Sequence, residues 1–97
     1  MSAFFVSTVS VKDTEKFQEY SRKAGETFAP FGGQLVIRGA AADTIAGKCA
    51  AHQAVGIVKF PNQETLMDWF QSPAYQELIP LREEAADLTI TTYVMPA

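Results

Sequence analysis

Apolar and polar residues change period several times along the chain, and each change marks an element. The run Ala3-Phe4-Phe5-Val6-Ser7-Thr8-Val9-Ser10-Val11 is rich in β-branched and aromatic residues and predicts a first strand. Phe4 and Val6 share one face of it, while Phe5, Val9 and Val11 share the other, so both faces want cover. From Asp13 the period becomes helical. Asp13 suits a helix N-cap, and Glu15 sits favourably in the first turn. Phe17, Tyr20, Ala24 and Phe28 recur on one side, and Glu15, Lys16, Gln18, Glu19, Arg22, Lys23 and Glu26 fill the other. Pro30 ends this helix, and Gly32-Gly33 permit a reversal that residues bearing a Cβ resist.

Gln34 to Arg38 predicts the second strand, with Gln34, Val36 and Arg38 on one face and Leu35 and Ile37 on the other. Gly39 to Ala51 reads as a small-residue loop that turns at Gly47. His52 to Phe60 predicts the third strand. Its centre, Ala54-Val55-Gly56-Ile57-Val58, holds no polar residue, as in a strand covered on both faces. Gly56 marks a bulge or a close backbone approach. Asn62 caps a second helix with Leu66, Met67, Trp69 and Phe70 on its apolar side. Ser72-Pro73 restarts a helix, with Tyr75, Leu78, Ile79 and Leu81 apolar. Pro80 puts a break near Ile79, and Arg82 to Asp87 finish the helix. Leu88 to Met95 predicts the fourth strand, with Thr89, Thr91 and Tyr93 opposite Leu88, Ile90, Thr92 and Val94.

The resulting order, β-α-β-β-α-β, is that of the ferredoxin-like split unit. It is an α+β fold whose antiparallel sheet has strands one and three in the centre and both helices on one face. Residues 1–97 suffice for one such domain. Its other face is apolar but has no cover from this chain. With 47% hydrophobic and 11% aromatic residues, there is more apolar material than one small core hides. The expected solution is a homodimer through the open sheet face.

Charge and cysteine usage then exclude several partners. Eleven acids face eight bases for a net charge of −3, with no basic cluster, which argues against nucleic acid and anionic membrane surfaces. No 18-residue apolar run spans a membrane, and the N-terminus lacks the features of a signal peptide, so the expected location is cytoplasmic. Cys49 is the only cysteine, so neither an intrachain disulfide nor a cysteine-cluster metal site forms.

Phe31-Gly32-Gly33 before Leu35-Val36-Ile37-Arg38-Gly39, then Gly47, Val58-Lys59-Phe60-Pro61, Trp69-Phe70, Ser72-Pro73-Ala74-Tyr75 and Leu81-Arg82 together resemble the domain-of-unknown-function family 1330. That family belongs to the dimeric α/β-barrel group, and the resemblance spans nearly the whole chain. It implies a ferredoxin-like dimer with a ligand cavity between each sheet and its own helices, and it implies no defined activity. Wider relatives include cofactor-independent monooxygenases, muconolactone isomerases, haem-degrading monooxygenases and stress-response proteins, so fold does not settle function. The chain departs from the family pattern after Gly47, where Lys48-Cys49-Ala50-Ala51 replaces the usual acidic or aromatic residue.

Five residues are candidates for binding a ligand. Arg38 ends an apolar strand, where a guanidinium binds a carboxylate or enolate bidentately, or else pairs with an acid or sits at an exposed edge. His52, the only histidine, has the chemistry of a proton shuttle but also fits an exposed strand entrance. A histidine-rich metal site is excluded, and no metal or cofactor is expected. Trp69 and Tyr75 supply an aromatic wall with a phenol donor, or helix-to-sheet core; Tyr20 is similar. Arg82 reaches a carboxylate of the ligand or, on the plainer reading, makes a salt bridge to Asp87 or to a partner-chain acid. The function expected is that of a small-molecule-binding homodimer, either a cofactor-independent enzyme of monooxygenase or isomerase type or a non-catalytic sensing or stress-response module. The strand parity that faces the helices is left open by the pattern.

Overall fold

The computed structural model of the chain describes residues 1–48 and 54–96. Its elements are β1 (Ala3–Val11), α1 (Thr14–Phe28), a 3-10 turn (Ala29–Phe31), β2 (Gln34–Ala40), β3 (Ala54–Phe60), α2 (Gln63–Gln71), α3 (Pro73–Gln76), α4 (Ile79–Ala85) and β4 (Ala86–Val94). The four strands form one antiparallel sheet in the order β2-β3-β1-β4, with the helices on one side. This is the ferredoxin-like arrangement, with the two most apolar strands in the centre.

Local chemistry fixes the joints. Asp13 accepts a hydrogen bond from the Lys16 backbone N–H and caps α1, and Asn62 does the same for α2 through Thr65. Gly32 closes the 3-10 turn that follows α1, in the left-handed region at φ 79°. At Gly33 an added Cβ would lie 2.9 Å from both Phe28 and Phe60, so the chain reverses there only because that space is empty. Pro80 stands in the first turn of α4, after Glu77 and Leu78 have interrupted the helix.

Two boundaries move from their expected places. α4 stops at Ala85 and β4 begins at Ala86, because Lys12 and Asp13 both donate backbone hydrogen bonds to the Ala85 carbonyl and Ala86 pairs with Val11. β2 continues to Ala40, paired with Ala54.

The face assignment within β2 also changes. Leu35 pairs with Val58, but Ile37 pairs with Ile57, so Val36 is an extra residue bulged out of the ladder. Beyond it the alternation is inverted. Leu35, Arg38 and Ala40 pair with Val58, Gly56 and Ala54 on the helix side, while Gln34 and Ile37 share the open side. The expected grouping of Gln34 with Arg38 assumed an unbroken ladder. Gly56 marks the close approach, since a Cβ there would meet Ser7 Oγ at 3.1 Å; the bulge itself lies on the neighbouring strand.

Of the β1 residues that face the helices, Ala3, Phe5 and Val9 are buried. The core they join centres on Trp69, Tyr75, Phe60 and Leu66. Phe5 stacks on Trp69 at 5.1 Å between ring centroids, Phe60 lies at 5.5 Å, and Tyr75 closes from the other side at 4.5 Å. The indole N–H of Trp69 donates to Thr27 Oγ1 at 2.9 Å, and that hydroxyl donates to the Ala24 carbonyl at 2.7 Å. The opposite face of the sheet carries Phe4 stacked on Tyr93 at 5.2 Å, with Ile37 59% exposed. Among the described residues no helix is long and apolar enough to cross a membrane.

Candidate functional site

A cavity of about 400 Å³ lies between α1 and the half of the sheet away from the aromatic core. Its presence follows from side-chain size. On the sheet side are Ser7, Val9, Ala54 and Gly56; on the helix side Ala24 and Gly25 face them, leaving space where larger residues would meet. Phe5 and Trp69 close one end. Leu35, Arg38 and Ala40 line it from the edge strand β2, where every residue is exposed, so the cavity reaches solvent there.

Arg38 stands in this lining, brought to the helix side by the bulge at Val36. It is exposed and makes no ion pair with any described residue. A guanidinium on an apolar rim offers paired N–H donors and an uncompensated charge to an anionic ligand.

Tyr20 projects from α1 and lines the same cavity, 6% exposed. Its hydroxyl oxygen is 2.9 Å from that of Tyr75, which is fully buried on α3. Arg82 on α4 donates from Nη1 to Tyr75 Oη at 3.0 Å and from Nη2 to Glu83 Oε1 at 2.9 Å. Burial most of all, and then the neighbouring Tyr75, push the Tyr20 hydroxyl far above the ordinary phenol range, with Arg82 only partly opposing. Tyr20 therefore keeps its proton at any ordinary pH. For Arg82, partial burial works against the charge, but the bonds to Glu83 and Tyr75 outweigh it and raise its pKa.

Four of the five candidates thus fall on or beside one cavity, each differently. Tyr20, Arg38 and Trp69 line it. Trp69 contributes its ring alone, because its N–H is spent on Thr27. Tyr75 lies behind the wall, with its hydroxyl bonded to Tyr20 and Arg82. His52 falls outside the described residues. The expected Arg82–Asp87 pair does not form: Asp87 faces Lys12 at 3.8 Å, and Arg82 turns inward to Tyr75. The inward turn is hidden in the sequence because Pro80 interrupts the helix and with it the spacing of Tyr75 and Arg82. The small residues Ser7, Ala24 and Ala54 signal a hollow only by their size inside otherwise bulky apolar elements.

A second hollow of about 500 Å³ lies under α2 and α4 against β4, and shares Trp69, Leu88 and Ile90 with the first. Arg82 borders it.

Among solved structures, the chain is similar to a protein of unknown function, RPA0582, from Rhodopseudomonas palustris. The TM-score is 0.84 at 18% identity, covering 99% of this chain and 83% of that one. It is also similar to SnoaB, a cofactor-independent oxygenase from Streptomyces nogalater, with a TM-score of 0.72 at 11% identity over 99% of this chain and 94% of that one. A dimeric ferredoxin-like protein of unknown function from Thermobifida fusca superimposes with a TM-score of 0.67 at 11% identity, over 98% of this chain and 92% of that one. At these identities the likeness is one of fold. No curated protein matches the chain. The family model of a domain of unknown function, DUF1330, matches residues 2–94, nearly the whole chain and every element of the sheet, so the protein belongs to the DUF1330 family.

Proposed function

We propose that this protein binds a small, largely apolar, anionic molecule in the cavity between α1 and the sheet, and does so as a homodimer. The observation that carries the reading is Arg38, a cation with no described ion-pair partner on the rim of an otherwise apolar hollow. The cavity's size, about 400 Å³, is within the usual range for a small-molecule site. Similarity in fold to a cofactor-independent oxygenase supports an electron-rich aromatic or enolate ligand. Tyr20 and Arg38 are the titratable groups among the described lining residues, and both serve as hydrogen-bond donors. If the protein is an enzyme, its described wall steadies an oxyanion and takes up no proton; oxygenation or isomerisation of an already ionised substrate fits that wall best.

The dimer rests on the open face. Four strands about 4.8 Å apart and some 25–30 Å long present roughly 500 Å² per copy, near the lower limit of stable interfaces when doubled. Phe4, Val6, Val55 and Ile57 occupy its centre, and the neighbour from Thermobifida fusca is described as dimeric.

Arg38→Ala separates a binding role from a structural one. The expected result is at least a tenfold loss of affinity for an aromatic carboxylate such as fluorene-2-carboxylate, with a melting temperature within about 2 °C of the parent. A large fall in melting temperature with unchanged affinity overturns the site. Native mass spectrometry of untagged protein reads the dimer directly, and a monomer at micromolar concentration removes that half of the proposal.

A further inference from the structure

The geometry points to a second recognition element in the cavity: the ligand carries a neutral acceptor oxygen besides its acid, and Tyr20 meets it, with Tyr75 and Arg82 as positioning residues behind. This deepens the reading of the cavity as a binding site and rests on it.

The hydrogens available to three side chains decide the arrangement. Three groups meet in a row: Arg82 Nη1, Tyr75 Oη and Tyr20 Oη, separated by 3.0 and 2.9 Å. A guanidinium donates and never accepts, so the Tyr75 oxygen is an acceptor toward Arg82. One further hydrogen lies between the two phenols, and either can supply it. If Tyr20 donates to Tyr75, the hydrogen of Tyr75 is left without an acceptor in a place with no solvent exposure. If Tyr75 donates to Tyr20, the surplus hydrogen is that of Tyr20, whose side chain lines the cavity. An unsatisfied buried donor is costly, so the second arrangement is the one adopted. The row then runs in one direction, from Arg82 through Tyr75 to Tyr20, and each donation polarises the next hydroxyl. Its free end is the neutral O–H of Tyr20, a residue that lines the cavity. Arg82 is partly buried and divides its guanidinium between Tyr75, through Nη1, and exposed Glu83, through Nη2.

The ligand class follows. Arg38 at the exposed rim takes an acid, the body lies against apolar walls, and a ketone, quinone or ester oxygen accepts from Tyr20 inside. A hydrocarbon acid of the same outline lacks that last bond and leaves the Tyr20 donor to water.

Two flat acids of nearly equal size test this: 9-oxofluorene-2-carboxylate and fluorene-2-carboxylate, which differ by one ketone oxygen. Titration calorimetry with the intact protein is expected to show about a fivefold preference for the ketone, the net worth of one neutral hydrogen bond. Tyr20→Phe is expected to remove the preference, so that the two acids bind with equal affinity. Tyr75→Phe and Arg82→Met reduce the preference, although Tyr75 does not line the cavity. Equal affinity of the parent protein for both acids overturns the inference and leaves the binding site standing. Failure of both to bind overturns the site and the inference together. A ligand-free readout guards against variants that fail to fold. With tyrosine labelled at Cζ in mixed light and heavy water, the Tyr75 hydroxyl is expected to exchange slowly and give paired signals, while Tyr20 exchanges fast and gives one. The reverse pattern overturns the direction of the row.

Discussion

The helix-covered face of the sheet has two halves that differ in what the same architecture is asked to hold. Toward one end Phe5, Phe60, Phe28 and Trp69 interlock, with Phe28 edge-on to both Phe60 and Trp69 at 6.4 Å. Toward the other end Ser7, Ala54 and Gly56 face Ala24 and Gly25, and the space is hollow. β1, β3 and α1 run through both halves, but the filled half is also covered by Trp69 from α2, while the hollow half opens at the bulged edge strand β2. Within the shared elements side-chain volume decides: large rings make a core, and small residues make a pocket. Stability and binding capacity are therefore assigned to different residues of β1, β3 and α1.

The largest effect expected is at the filled end. Trp69→Ala removes the ring against which Phe5, Phe60 and Tyr75 pack, and is expected to cost about 3–5 kcal/mol, enough to unfold much of the population near 37 °C; urea denaturation measures it. Glycine-to-alanine substitutions then give opposite signs at the two ends. Gly33→Ala presses a methyl within 2.9 Å of Phe28 and Phe60 and is expected to destabilise by about 1–3 kcal/mol.

Between the halves stands Tyr20, and its effect depends on pH. Because its folded-state pKa is raised, the stability it contributes is complete below the ordinary phenol pKa of about 10 and is lost as pH rises beyond it. There the unfolded chain sheds the proton and the folded chain retains it. The stability difference between the parent and Tyr20→Phe is thus expected to be flat to about pH 9. Above pH 10 it shifts against the parent by about 1.4 kcal/mol per pH unit. Denaturation curves collected from pH 8 to 11.5 check this, and a difference that stays flat throughout removes the buried-donor account of Tyr20. The smallest effect belongs to the hollow end: Gly25→Ala, in the middle of α1 with nothing within 4 Å of the added methyl, is expected to stabilise by about 0.5–1 kcal/mol. Should it destabilise instead, the space beside α1 is not free.

The element order, the strand centres and the caps at Asp13 and Asn62 were legible because each depends on nearest neighbours in the chain. Phe17, Tyr20, Ala24 and Phe28 announced the buried side of α1 by spacing alone. The site was legible in its residue types but not in its arrangement. Arg38 could be singled out as a cation ending an apolar strand, yet no local signal distinguishes Leu35-Val36-Ile37 as a bulged run from a regular one. Arg82 was read outward to Asp87, since the turn at Glu77 and Leu78 that redirects it toward Tyr75 is set by tertiary packing. The hollow itself is a relation between β1, β3 and α1, and distance along the chain carries no trace of it.

The extra residue at Val36 has a consequence for how this protein tolerates change. Because Val36 has no partner in β3, losing a single codon between Leu35 and Arg38 would close the bulge and leave Arg38 opposite Gly56, still on the helix side. Straightening the bulge with no residue lost would do the opposite: Val36 would stand opposite Ile57, and Arg38 would move one pair along to Val55, on the open apolar face. A homologue of the same length with a regular β2 would carry the same letters and present a different surface.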